Sequence, residues 1–179
     1  MVQLILNIIK RIGYWLWSSR WLARRLVLAS GIHKKKWITI LELWAGYGNV
    51  THEIIKNLSH NNKLIALEYD VMRVDGLRHL SGENIEIIHG SVENLEKYIS
   101  QESIDVVIST LPLWSFEKKS VLLTLKNIDH VLKKWGLYIQ YQYWMANKND
   151  IKNIFKIREI LFEPRNFTPA FIYISEKEW

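Results

Sequence analysis

Four short stretches of the 179-residue chain hold residue types that could grip a small polar ligand. "ELWAGYG" brings Glu42, Gly46 and Gly48 together, and glycines let backbone approach a ligand where a side chain would collide. "ALEYD" offers Glu68 and Asp70, and a carboxylate there can accept both hydroxyls of a ribose. "IIHGSV" turns at Gly90–Ser91, where Ser91 and the Val92 amide could face an adenine edge. "ISTLPLW" ends in Ser109 and Thr110 and a rigid Leu111-Pro112-Leu113, where a second reactant would meet the first. Each piece alone is common; in this order they make a site for an adenosine-containing ligand, with Glu42, Trp44, Gly46, Gly48, Glu68, Ser91 and Ser109 as its contacts. Trp44 is the discordant member, a large indole where such loops place their first glycine.

These stretches work together only if each ends a strand of one sheet. Apolar, β-branched runs predict strands near 37–43, 63–69, 84–89, 104–110, 136–144, 157–162 and 168–175. Helical patterns fall near 48–58, 71–79, 92–99, 116–134 and 148–155. Alternation of this kind predicts a Rossmann-like α/β fold, a seven-stranded mostly parallel sheet with helices on both faces. The turn-like "EPRNFTP" joins the last two strands as an antiparallel pair. In an open sheet of this type ligands bind beyond the carboxyl ends of the strands, where the four stretches lie.

The charge is uneven. The net charge is +6, yet eight of the 24 Lys and Arg residues and none of the 18 acids precede Glu42. The remainder is mildly acidic, so residues 1–34 read as a basic helical segment ahead of a domain at 35–179. As a helix, Ile5, Ile9, Ile12 and Leu16 share one face while Lys10 and Arg11 lie on the other, with Trp15, Trp17 and Trp21 added. Such a segment suits the plane of an anionic membrane surface. Its charges are misplaced for a secretory signal, and it lacks the ~20 uninterrupted apolar residues of a membrane span. There is no cysteine, and the six histidines are scattered without metal-ligand spacing, so no metal is expected.

Over residues 37–175 the chain resembles the class I S-adenosylmethionine-dependent methyltransferases. Within them it is most similar to the bacterial phospholipid N-methyltransferases. "SSRWLARRL", "ELWAGYGNVT", "LIALEYD", "ISTLPLWSF", "VLKKWGLYIQYQY" and "RNFTPAFIYI" carry the likeness. The resemblance implies S-adenosylmethionine as cofactor and a phosphatidylethanolamine amine as acceptor, at the cytoplasmic face of the membrane. It implies that Thr110–Leu113 face the substrate and that Tyr141 and Tyr143 orient the amine nitrogen and hold the methylated cation on their rings. Two other readings stand beside it. Ribosomal RNA adenine dimethyltransferases are similar, but they place Asn before the Leu-Pro and an aromatic after it, where this chain has Thr110 and Leu113. A non-catalytic, membrane-associated relative is the other. Trp44, Trp135 and Trp144 stand where the family has glycine, as UGA codons translated as tryptophan would produce.

Overall fold

The computed structural model describes residues 19–145, 147–166 and 168–178. The membrane-facing positions expected at Ile5, Ile9, Lys10, Arg11, Ile12 and Leu16 lie outside them.

Aliphatic runs buried on both faces become the central strands of one sheet. Strands β1 (Thr39–Leu43), β2 (Lys63–Glu68), β3 (Ile85–His89), β4 (Ile104–Ser109) and β5 (Leu132–Gln142) pair in parallel. β6 (Lys156–Glu163) and β7 (Ala170–Glu176) pair antiparallel, and β7 inserts between β5 and β6. The order is β3-β2-β1-β4-β5-β7-β6. Strand order therefore reverses between β1 and β4, which opens a crevice at their carboxyl ends. Both the parallel body and the antiparallel last strand agree with the expectation from sequence.

Alternate residues of each strand feed two cores. Ile40, Leu64, Val106, Ile108 and Ile139 pack beneath α1 (Arg20–Ser30) and α2 (Asn49–Lys56). Leu41, Leu43, Leu67, Val107 and Tyr138 pack beneath α4 (Lys118–Val131) and α5 (Lys148–Lys152), with α3 (Val71–Leu77) completing a small satellite around Ala45 and Ala66. α1 starts at Ser19, whose hydroxyl accepts the Leu22 N–H, and stops at Gly31 with φ 67°. It buries Leu22, Ala23, Leu26 and Val27, and the Ser19 N–H donates to Asn166 Oδ1 at 3.0 Å. The segment set apart by charge thus supplies a helix to the core of the sheet.

Two elements depart from their expected form. Residues 92–99 make a 3-10 helix, Val92–Lys97, broken at Asn94. The Asn127 side-chain amide donates to the carbonyls of Val92 and Glu93, which an α-helix would need for itself. β5 begins four residues early, directly after α4, because Leu132 pairs with Ile104 before the chain bulges and rejoins at Leu137 opposite Val106.

Candidate active site

The carboxyl ends of β1, β2 and β3 enclose a cleft of about 320 Å³. Leu43 and Trp44 line it from the first strand, Leu67 and Tyr69 from the second, and Gly90, Ser91, Val92 and Glu93 from the third, with Phe116 closing it from beyond β4. Leu43 and Leu67 alternate in phase with Leu41 and Ile65, so period-two patterning carried them; Phe116 had no such signal, since it follows a turn.

Two glycines are required by this packing. Gly48 has φ 85°, and a Cβ there would sit 2.7 Å from Leu77 Cδ2 and 3.0 Å from His52 Nδ1. A Cβ at Gly90 would meet the Tyr98 ring at 2.7 Å. The first lets the loop turn into α2, and the second lets the cleft wall lie close to the 3-10 helix. Trp44 shares the loop's left-handed backbone, at φ 67°. For an L-residue that conformation costs about 1–2 kcal/mol. It is imposed by the neighbours: the Trp44 N–H donates to Leu67 O at 3.0 Å, and Thr110 Oγ1 donates to Trp44 O at 2.7 Å.

The carboxylates divide their work. Glu68 is buried and accepts the amides of Gly46 at 2.7 Å, Tyr69 at 3.0 Å and Asp70 at 2.9 Å. A carboxylate has about four acceptor sites, so Glu68 staples the glycine loop to β2 and keeps capacity for a further donor such as a ribose hydroxyl. Asp70 is taken up as the N-cap of α3, accepting from Met72 and Arg73. Glu42 is fully buried and points to the opposite sheet face from Leu43, with Thr51 as its neighbouring hydrogen-bonding group. Burial pushes its pKa up to about 8, reinforced by the Glu68 charge and opposed by Thr51. It is therefore a neutral acid at pH 7, able to donate as well as accept.

Several other expected contacts are internal instead. Ser91 Oγ accepts the Glu93 N–H as a cap, although Ser91 still lines the cleft. Ser109 is wholly buried and its hydroxyl accepts the Leu111 N–H at 3.3 Å. Leu111 and Leu113 are core residues packed with Val121 and Leu125, so their side chains do not face the crevice. Thr110 spends its hydroxyl on the β1 loop, and neither Thr110 nor Pro112 lines the cleft. Tyr141 and Tyr143 do share a face, both buried, with ring centroids 5.5 Å apart and hydroxyls 3.5 Å apart. Burial, with Tyr141 adjacent, raises the Tyr143 pKa further above neutrality, so this phenol stays protonated. Trp144 extends the row, 6.3 Å from Tyr143 and 5.7 Å from Trp114. On the opposite face Gln140 accepts from Tyr138 Oη at 2.7 Å and donates to Leu111 O at 2.9 Å, which fixes the Leu-Pro-Leu turn. Gln142, 1% exposed, has no partner for its amide. The sequence set both glutamines on the face opposite the tyrosines and pointed to no role for either.

A model of the methyltransferase domain matches residues 40–136. The chain belongs to that family. No curated protein matches it. Solved structures share its fold at low identity. The methyltransferase superposes on 1,6-didemethyltoxoflavin-N1-methyltransferase from Burkholderia thailandensis with a TM-score of 0.77 and 12% identity, over 97% of this chain and 86% of that one. The N-methyltransferase NodS from Bradyrhizobium japonicum gives 0.71 and 10%, over 88% and 94%. TrmN from Thermus thermophilus gives 0.69 and 14%, over 87% and 48%, so the methyltransferase spans about half of that protein's length.

The methyl donor of this methyltransferase is S-adenosylmethionine. Of the contacts expected from sequence, Trp44 and Ser91 line the cleft. Gly90 backbone and the apolar walls at Leu43, Leu67 and Val92 leave room for a planar base, while Gly46, Gly48 and Glu68 shape the adjoining loop without lining the cleft. The Trp44 indole does not match, because it occupies the wall where the loop must come closest to the ligand.

Proposed function

We propose that the methyltransferase methylates the amine of a phospholipid, phosphatidylethanolamine, from the cytoplasmic surface of a membrane. The observation that carries this reading is the row of rings Tyr141, Tyr143, Trp144 and Trp114 at the carboxyl end of β5. Aromatic faces attract cations, and an amine nitrogen becomes positively charged as it takes the methyl group. The exposed side of α1 supports the membrane part. Arg20, Trp21, Arg24 and Leu28 face outward there, and Lys34 and Lys36 follow. Bases mixed with exposed apolar side chains suit an anionic interface. No helix among the described residues is long and apolar enough to cross a membrane.

S-adenosylmethionine supplies an electrophilic methyl group with its own leaving group. What the chain must add is position and dryness. The amine must arrive without its proton, since an ammonium has no lone pair. Tyr143 remains a phenol, so it serves as a positioning residue whose oxygen accepts an amine N–H; it does not take the proton away. The test is transfer of labelled methyl to phosphatidylethanolamine vesicles, beside soluble ethanolamine and ribosomal RNA. Label in lipid, with vesicle binding that weakens as salt rises, is the expected result. Label in RNA or soluble amine, and none in lipid, overturns the phospholipid reading.

A further inference from the structure

Four non-glycine residues among those described have positive φ: Trp37 at 62°, Trp44 at 67°, Glu102 at 49° and Trp135 at 64°. Three of the four are tryptophan. A bulky residue in this region is a rare outlier, because its Cβ crowds the following carbonyl. Here half of the six tryptophans among the described residues adopt it, in a chain with nine tryptophans and only eight glycines.

In each case the backbone is held by partners that ignore the indole. Around position 37, Asn62 accepts the Ile38 N–H at 3.3 Å and donates to Lys35 O at 3.0 Å, bracketing the turn from both sides. At 44 the loop is tied to Leu67 and Thr110. At 135 the N–H donates to Lys177 O at 2.8 Å, and Lys177 N–H returns to Gly136 O at 3.1 Å. The side chains gain little in exchange, being 78%, 36% and 58% exposed, although the Trp135 ring does meet the Lys134 ammonium at 5.4 Å. Fixed left-handed backbone with an unburied side chain is the signature of a glycine position. Trp21, Trp114 and Trp144 are different: none has positive φ, Trp21 stacks under Arg165 at 4.9 Å, and Trp114 meets Trp144 edge to face. The backbone therefore adds position 37 to the set expected from sequence and removes 144 from it.

We propose that the codons at 37, 44 and 135 are UGA and that the chain made in its own cell carries glycine at all three. UGA is a codon that different genetic codes read as stop, tryptophan or glycine, so one misassigned codon produces the whole set. The β1 loop then reads Gly-Ala-Gly-Tyr-Gly, and the cleft loses the indole that stands against the ligand. The codon assignment rests on backbone geometry alone; only its consequence for the cleft rests on the S-adenosylmethionine reading.

The experiment is to read the three codons and to weigh the matching peptides of the protein isolated from its source cell. UGA at 37, 44 and 135 with glycyl masses, and UGG at 21 and 114, is expected. UGG, or a tryptophanyl mass, overturns the proposal at that position. Alongside, S-adenosylhomocysteine binding is measured by calorimetry on the chain as written and on its Trp37→Gly, Trp44→Gly, Trp135→Gly form, with circular dichroism to confirm that both are folded. Binding tighter by about tenfold or more in the glycine form is expected. Equal binding would overturn the consequence for the cleft, while the peptide masses independently decide the codons.

Discussion

At the cofactor end of the crevice, β1 to β3 deliver a fully buried carboxyl, a carboxylate stapled to three amides, and an indole on left-handed backbone. At the acceptor end, β4 and β5 deliver rings packed edge to face and a glutamine whose amide is fully engaged. The first end carries a carboxyl held in a dry interior and an indole on strained backbone. The second is settled in the protein alone apart from Gln142 and the Trp114 indole N–H. A ligand-binding end built this way gives up stability for function, so substitutions there that remove the buried carboxyl or the strained indole should stabilise the protein, whereas substitutions at the acceptor end should weaken it.

The largest expected effect tests the cofactor end. Glu42 has its pKa raised from 4.5 to about 8 by burial. Between these values the folded protein binds more protons than the unfolded chain. The contribution is therefore fully present below about pH 4.5 and is lost as pH rises through 8. At about 1.4 kcal/mol per unit, the loss is on the order of 5 kcal/mol. Glu42→Gln keeps the neutral shape and abolishes the loss. Urea unfolding at pH 5 and pH 9 should show the two proteins nearly alike at the lower pH and Glu42→Gln more stable at the higher by several kcal/mol. Parallel curves for both proteins would mean that Glu42 is solvated and the contrast between the ends is false.

At the acceptor end, Gln140→Leu should cost about 2–3 kcal/mol, because it strands the buried Tyr138 hydroxyl and the Leu111 carbonyl together. Trp114→Gly follows at about 2 kcal/mol, since the ring packs partly buried on the α1 core and against Trp144. Thermal melts of both read the loss directly. A neutral outcome for Gln140→Leu would show that the Leu-Pro-Leu turn does not depend on it.

The strands and the ends that face the crevice were legible because period-two burial and glycine turns are local signals. The place of β7 was not, since "EPRNFTP" joins two strands without saying which of them pairs with β5. The facing of Leu111 and Leu113 was also hidden: they follow the strand end, where alternation stops and Ser109 and Gln140 redirect the turn. Glu68 was placed correctly at the end of β2, but its three amide donors come partly from Gly46, 22 residues away. The resemblance brought out Trp44 and Trp135 as misplaced; Trp37 emerged only from its backbone, because no motif covers the turn before β1.

The smallest expected effect is also the one whose sign separates the two ends most cleanly. Replacing a residue by glycine ordinarily destabilises, because the unfolded chain gains about 0.5–1 kcal/mol of conformational entropy. Trp44→Gly should do the reverse. It relieves about 1–2 kcal/mol of left-handed strain and surrenders the packing of a side chain that is already 36% exposed, for a net gain of up to about 1 kcal/mol. Trp21→Gly, inside α1 and under Arg165, should lose about 1–2 kcal/mol from helix propensity and the cation–π contact. Denaturant midpoints of the two variants should therefore move in opposite directions from the parent. If Trp44→Gly moved with Trp21→Gly, the left-handed backbone at 44 would cost nothing, and the cofactor end would be as settled as the acceptor end.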